Sequence, residues 1–402
     1  MVDISNIKNV AVIGAGVQGH KIAQVALMAG FDKVILNSRT TQSIERAVEQ
    51  IINSKTVGLK VLESKGHLKE NQTTETLLSK LVKEVDLRKA VEDADFVIEC
   101  VPEILKLKQE IFKKMGEFSP DHTILASDTS TMSITKIGES SGRSDRVMGM
   151  HFFSPMGSTL IEITKGTKTS DKTMDIGYEI AKKLPCERGE RMVIRLEKES
   201  PGFVVNRVIG TGEIYFKWVI EQATMRGIPY EQVDADVIKL MPMGCCLMCD
   251  IMGLDTVYNS MKYFASTLSS DFSPSPVFKN LIDQGHIGKK SGKGFYDWSK
   301  GKPVINREKK AGLMDVKIVA AIHLNEGCKL LEEGIVDNYN IIDDAVSAGY
   351  HISGPFKVGK RWYKRLSKVL ETFAEKANTD YLKPCHLMKS GEFRKMSRSS
   401  SK

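Results

Sequence analysis

The chain has 402 residues, 41% hydrophobic and 27% charged, enough to bury more than one core, and is expected to fold as about two or three domains. No apolar run reaches the ~20 residues of a membrane span and the start Met1-Val2-Asp3-Ile4-Ser5-Asn6 lacks the basic and apolar parts of a secretion signal, so no membrane partner and a cytoplasmic location are expected. A net charge of +8 suits a phosphate-bearing partner, yet no helix-turn-helix, finger or aromatic-studded sheet motif is present, so nucleic acid is not an expected one.

In chain order, short β-branched runs alternate with amphipathic stretches: Val10-Ala11-Val12-Ile13, Val34-Ile35-Leu36, Phe96-Val97-Ile98 and Thr123-Ile124-Leu125. This pattern predicts βαβ units and a parallel sheet. From Ser200 onward the periodicity is helical, notably over Val204 to Arg226 and Val316 to Glu333. The expected fold is a Rossmann-type α/β domain over 1–195 followed by an all-α region.

That helical region repeats itself. Arg226-Gly227-Ile228, Val233-Asp234 and Met243-Gly244 are echoed by Glu333-Gly334-Ile335, Ile342-Asp343 and Ser353-Gly354-Pro355, with a glycine-to-aspartate spacing that differs by two residues. Two tandem copies of one helical unit are expected, over 196–300 and 301–402, the junction falling where Lys, Gly and Pro cluster between 299 and 312. The basic, Ser-rich end, Ser397 to Lys402, reads as a frayed tail and is not a peroxisomal address. Seven cysteines without regular spacing predict reduced thiols.

The first strand runs straight into Gly14-Ala15-Gly16-Val17-Gln18-Gly19 and a helical stretch that ends at Gly30. Strand, glycines and helix in this order form the dinucleotide-binding fingerprint: Gly14 permits the tight turn, Gly16 the approach of a pyrophosphate, and Gly19 close helix packing. The helix N-terminus then offers N–H groups and a favourable dipole to the phosphates, with Val17 and Gln18 in the same loop. The second strand ends Leu36-Asn37-Ser38-Arg39-Thr40. Its tip faces the adenosine ribose, and an uncharged Asn37 beside Arg39 admits NADP as well as NAD, Ser38 lying between them.

Further along stand Val101-Pro102-Glu103 to Phe112, Ser127 to Met132, Gly149 to Pro155, Ser200 to Arg207 and Gly288 to Tyr296. Together with Gly14 to Ala29, these ordered blocks resemble the L-3-hydroxyacyl-CoA dehydrogenase family, including its 3-hydroxybutyryl-CoA dehydrogenases, over residues 8 to 298. The repeated helical unit resembles the successive C-terminal domains of longer members. The resemblance implies hydride transfer between NAD(P) and a short (S)-3-hydroxyacyl-CoA or its 3-oxo form. It assigns the acid/base to His151, its orienting carboxylate to Glu162, a substrate-oxygen hydrogen bond to Ser130 and a supporting amide to Asn206. Glu103 and Lys108, expected on the helix after the strand ending Cys100-Val101, match the nicotinamide-side pair. Lys60 and Lys65, with Lys69, lie in a segment similar to the helical hairpin that covers coenzyme A.

The chemistry is reasonable residue by residue. Oxidising a secondary alcohol needs a base for the hydroxyl proton, and histidine titrates near neutrality. A carboxylate partner fixes its tautomer and stabilises the imidazolium, and a serine hydroxyl can donate to the developing ketone. In the Ser200 block a serine cap, an early proline and a periodic run predict a helix start, with Asn206 in its first turns.

The sequence also departs from the family. Asp128 replaces an asparagine and is expected to raise the pKa of His151. Ser154 also replaces an asparagine, the loop Ser154 to Thr159 is one residue short, a nearby lysine is missing, and Pro185 to Lys198 is longer. Cys245, Cys246 and Cys249 lie among methionines between Met241 and Met252, and with no histidine nearby no metal is expected. Gly288 to Gly294 lacks P-loop spacing. Two alternatives are an NADP-dependent dehydrogenase of a small 3-hydroxy acid, whose second strand often ends Asn-Arg-Thr, and a non-catalytic relative like the eye-lens crystallins. A homodimer through the helical domains and a monomer both fit.

Overall fold

The computed structural model describes residues 2–241 and 243–396, so the Ser397 to Lys402 tail lies outside the described residues. Residues group into two compact units, 1–203 with 344–352, and 204–343 with 353–402. Among the described residues no helix is long and apolar enough to cross a membrane.

The first unit is built on an eight-stranded sheet: β1 (Asn9–Ile13), β2 (Lys33–Asn37), β3 (Leu81–Glu84), β4 (Phe96–Glu99), β5 (Ile124–Ser127), β6 (Val147–Phe152), β7 (Leu160–Lys165) and β8 (Met192–Leu196), in spatial order β3-β2-β1-β4-β5-β6-β7-β8. It is a Rossmann-like sheet, parallel throughout except at β6–β7. The central strands are buried along their whole length, as the continuous apolar runs require of a sheet covered on both faces. The chain leaves β1 toward β2 on one side and returns to place β4 on the other, so the carboxyl ends of β1 and β4 form the switch point where such sheets open a crevice.

Two strands escape the sequence pattern. β3 carries Lys83 and Glu84 and sits at the sheet margin, and β8 carries Arg195 at the opposite margin. Edge strands are half solvated, so β3 shows no apolar run and in β8 Arg195 separates Met192-Val193-Ile194 from Leu196. β8 falls within the Pro185 to Lys198 segment.

The second unit is helical. The two long periodic stretches form Val205–Gly210 followed by Gly212–Met225, and Val316–Glu332. Ser200, however, is not a helix cap. Gly202 (φ 75°) and Phe203 (φ 54°) are both left-handed, a conformation a right-handed helix cannot contain, so the chain turns through residues 201–204 and the helix starts at Val205. Residues 299–315 form neither helix nor strand.

One local geometry occurs twice. Gly227 (φ 62°) and Gly334 (φ 65°) each end a long helix, with Ile228 and Ile335 donating their N–H back to Ala223 and Leu330. Asp234 then accepts from the N–H groups of Cys246 and Leu247, and Asp343 from those of Phe356 and Lys357. A Cβ on Gly244 or Gly354 would stand 2.2 or 2.3 Å from the carboxylate oxygen concerned. Asp234, Cys245 and Cys246 bring their ligand-type atoms within 4.8 Å of one another. Both carboxylate oxygens of Asp234 are engaged by the two N–H groups and the Tyr296 hydroxyl, which makes this a buried helix cap.

Arg207 ties the second unit together from its buried position: Nε reaches Glu326 at 2.7 Å and the two terminal nitrogens reach Glu333 at 2.5 Å. Glu326 is fully buried and also accepts from the Tyr381 hydroxyl. Among the described residues, removing the guanidinium would leave that carboxylate with Lys329 at 3.5 Å as its one ion-pair partner. Arg207→Met is therefore expected to destabilise the protein by about 3 kcal/mol in urea unfolding, whereas a change below about 0.5 kcal/mol would show that the pair is energetically neutral.

Candidate active site

A cavity of about 1000 Å³ opens at the carboxyl ends of β1, β2, β4, β5 and β6. Its lining includes Gly14, Gly16, Val17, Gln18, Asn37, Ser38, Arg39, Glu103, Lys108, Asp128, Ser130 and His151, so most of the site residues read from the sequence meet here. Lys60, Lys65 and Lys69 are exposed and outside this lining. Glu162 stands behind His151, and Asn206 belongs to the second unit, on the Val205–Gly210 helix.

The glycine loop is forced by close contacts. Gly14 has φ 110° and a Cβ there would meet the Cys100 carbonyl at 2.7 Å, while one on Gly19 would strike the Gly14 carbonyl at 1.7 Å. At Gly16 a Cβ would meet nothing within 4 Å. The helix Gly19–Ala29 has no side-chain cap, and among the described residues the N–H groups of Ala15, Gly16, Val17 and Gln18 make no hydrogen bond. Unsatisfied donors at a helix start, beside an open cavity, suit a pyrophosphate. This chain's own residues therefore fit a dinucleotide. The Gln18 side chain does something the sequence did not reveal: its Nε2 donates to the Phe152 carbonyl at 2.9 Å, joining the glycine loop to the strand that carries His151.

At the ribose end, Asn37 is buried and donates to the Glu84 carbonyl of β3 at 2.9 Å. Arg39 is exposed and makes no ion pair among the described residues.

The floor of the cavity is a charge network centred on Lys108. Its Nζ lies 2.8 Å from Glu99 and 3.1 Å from Glu103, and the charges of both carboxylates, outweighing burial, raise its pKa. Glu99, fully buried at the end of β4, also accepts from Ser127 Oγ and the Val101 N–H. Glu103 sits in the loop before the helix Leu105–Phe118, not on it, and accepts from Thr129 Oγ1 at 2.5 Å and the Ser130 N–H at 2.9 Å. The sequence reading missed Glu99 and Thr129. A lone acid closing the buried run Phe96-Val97-Ile98 was the available signal, because an unpaired carboxylate there would be prohibitively costly.

His151 and Glu162 face each other across the antiparallel β6–β7 register, with Nδ1 and Oε2 2.9 Å apart. The ring is 5% exposed and Glu162 is fully buried. Burial alone would lower the imidazole pKa, but the Glu162 hydrogen bond and charge, with Asp128 and Glu103 behind, raise it. A carboxylate at Nδ1 selects the tautomer with its proton there and leaves Nε2 as the acceptor. Asp128 accepts the Phe152 N–H at 2.9 Å, and burial pushes its carboxyl up to about 7 against the attraction of His151. Phe153 packs edge-on against the imidazole at 4.5 Å and Phe203 lies at 5.8 Å. Phe203 holds its left-handed backbone at no exposure, a strained position of the kind found at functional sites, and periodicity gave no hint of it.

Residues 9–194 match the sequence family described as 3-hydroxyacyl-CoA dehydrogenase, NAD binding domain, and residues 202–298 match its C-terminal domain. A probable 3-hydroxybutyryl-CoA dehydrogenase from Deinococcus radiodurans is 34% identical over 294 residues, covering 71% of this chain and 99% of that protein. The crystal structure of an (S)-3-hydroxybutyryl-CoA dehydrogenase from Ralstonia eutropha superposes with a TM-score of 0.61 at 29% identity, over 73% of this chain and 99% of that one. A 3-hydroxybutyryl-CoA dehydrogenase from Escherichia coli shares the fold over 96% of this chain and 98% of its own, with a TM-score of 0.78 and 23% identity.

The open space above Gly16 makes a direct test of the pyrophosphate cradle. Gly16→Val should leave the melting temperature unchanged but weaken NADH binding roughly tenfold or more in a fluorescence titration. Unaltered affinity would place the phosphates elsewhere.

Proposed function

Given that this chain belongs to the 3-hydroxyacyl-CoA dehydrogenase family, we propose that it interconverts short (S)-3-hydroxyacyl-CoA and 3-oxoacyl-CoA thioesters with His151 as acid/base. It is an NAD-dependent oxidoreductase of 3-hydroxyacyl-CoA. The relatives from Deinococcus radiodurans and Ralstonia eutropha are named for the four-carbon substrate, which is the acyl length we assign here. The observation that carries the reading is the buried His151–Glu162 pair at the wall of the cavity that the glycine loop also lines.

When bound, NAD accepts the hydride from the alcohol carbon. The protein's part is positioning and proton handling. His151 Nε2 takes the hydroxyl proton during oxidation and returns it during reduction, while Glu162 holds the ring and stabilises the imidazolium. Ser130 Oγ donates to the oxygen that becomes the ketone, with its own backbone fixed by Glu103. Glu103 and Lys108 shape the nicotinamide side, Asn206 supports the reacting oxygen, and Lys60 and Lys65 take coenzyme A phosphates. At the ribose, Asn37 presents no charge against a 2′-phosphate and Arg39 attracts one, so NADPH is accepted alongside NADH. The two Asp-capped helical motifs support an internal duplication of the C-terminal unit, in domains of 1–195, 196–300 and 301–402.

Acetoacetyl-CoA is expected to drive oxidation of NADH, and of NADPH in parallel, followed by nicotinamide absorbance; absence of turnover with both would sink this reading. His151→Ala should lower kcat on the order of a hundred- to ten-thousand-fold while the fold survives, and near-normal turnover would refute the role of the histidine.

Asp128 offers a second test through pH. Its charge, with those of Glu162 and Glu103, favours the imidazolium, and Lys108 and Glu99 act on Asp128 in turn. Oxidation needs the neutral ring, so removing the Asp128 charge should lower the pKa of His151 and move the acidic limb of kcat/KM to lower pH. A limb unmoved in Asp128→Asn would remove Asp128 from the proton balance.

A further inference from the structure

The matched family domains end at residue 298, yet a segment from far beyond that point belongs to the unit that carries His151. Within 344–352, the Ala348 carbonyl accepts from Ser158 Oγ at 2.8 Å, which fixes the segment on the loop between β6 and β7. Gly349 lies flat against that loop: a Cβ there would meet Phe153 at 3.2 Å and Leu160 at 3.3 Å. The next residue, Tyr350, sets its ring edge-on to Phe153 with centroids 5.7 Å apart. Phe153 in turn stands edge-on to the His151 imidazole at 4.5 Å. The three rings form a continuous ladder from the C-terminal helical region to the acid/base.

We infer that Tyr350 is a positioning residue for His151, acting through Phe153, so that the C-terminal region beyond the family match takes part in setting the proton transfer. The inference rests on His151 being the acid/base. Glu162 restrains the imidazole at Nδ1, through a hydrogen bond about which the ring can still tilt. The ring is further restrained by packing against Phe153 at 4.5 Å and Phe203 at 5.8 Å. Phe153 is only partly buried, and the ring that backs it is Tyr350, itself 41% exposed. Edge-to-face pairs are favoured by the ring quadrupoles and lose that geometry when one ring is removed. Without Tyr350, Phe153 is free to swing toward solvent. The imidazole then gains both tilt and water.

The consequences have a definite sign. Burial lowers the pKa of His151, against the upward effect of Glu162, Asp128 and Glu103. Burial is the largest single effect on the ring, so water admitted on the Phe153 side relaxes it more than it screens the carboxylates, while the Glu162 hydrogen bond about which the ring tilts is kept, and the pKa rises further. The acidic limb of the oxidation profile moves to higher pH, opposite to the shift expected for Asp128→Asn. A tilted base also costs kcat rather than cofactor affinity, since the Gln18 link from the dinucleotide loop is to the Phe152 backbone carbonyl and not to the Phe153 ring.

The experiment compares Tyr350→Ala and Tyr350→Phe in the full chain by two readouts: the pH dependence of acetoacetyl-CoA and 3-hydroxybutyryl-CoA turnover, and the titration of His151 by NMR of ¹³C-histidine-labelled protein, its resonance identified by loss in His151→Gln. Tyr350→Ala should lower kcat roughly tenfold with the NADH KM unchanged, and raise the His151 midpoint by about half a unit. Tyr350→Phe keeps the ring edge and should behave as the wild type. If the alanine variant does not fold, Tyr350→Leu, which keeps volume but not the ring, should shift the midpoint in the same direction. A wild-type titration in the truncated variants overturns the inference, whatever the turnover. A shifted titration in a protein that turns over no acyl-CoA supports the ring ladder and rejects the proposed reaction, so the two failures are distinguishable.

Discussion

Everything at this site depends on a fully buried carboxylate that must be paired. Glu162 has no exposure, and an unpartnered charge there would cost several kcal/mol. The antiparallel turn from β6 to β7 supplies its partner, because it is the one reversal in an otherwise parallel sheet and it sets position 162 directly opposite position 151. A parallel neighbour would need a long crossover and could not pair two residues so close in sequence. Register thus does the work of a hydrogen-bond donor search. It holds a histidine at the carboxyl edge of the sheet, with one nitrogen committed to the interior and the other left to the cavity.

The same logic governs the floor. Glu99 and Lys108 are both almost wholly buried and neutralise each other, but Lys108 reaches a second carboxylate, Glu103, which in turn holds the backbone of Ser130. The loop after β5 is therefore fixed through charges that originate on β4. Gln18 performs the equivalent function on the other side, linking the loop after β1 to the end of β6. Loops from four strands are tied to each other by side chains rather than by packing alone, which suits a cavity whose centre must stay open.

How much of this the sequence disclosed follows from which interactions are local. The glycine loop was legible because one of its constraints is steric and local, a Cβ on Gly19 striking the Gly14 carbonyl, whereas the close approach of Gly14 to the Cys100 carbonyl comes from a distant strand and left no signal of its own. The buried strands were legible from their apolar runs. The margins β3 and β8 were not, since a strand that is half in water has no reason to be apolar. Ser200 misled because a cap followed by proline is a local signal, and the left-handed turn at Gly202 and Phe203 overrides it for a tertiary reason, the placement of the Phe203 ring beside His151. Pairing across distance, as between Glu103 and Thr129 or Gln18 and Phe152, leaves no spacing to read.

The electrostatic balance around the imidazole combines these constraints. Three carboxylates favour the imidazolium, and burial opposes it. A site with only Glu162 would hold its histidine by one opposing pair of effects, tuned by how dry the pocket is. Adding Asp128, whose own carboxyl sits at about 7, places a second titrating group beside the first, and protonating either one weakens the case for protonating the other. The protonation state of the pair then depends on burial more steeply than that of a lone histidine would. Small changes in the aromatic packing around the ring, at Phe153 or Phe203, consequently act on proton affinity as well as on orientation, and that coupling is what makes the outer ring of the ladder chemically relevant.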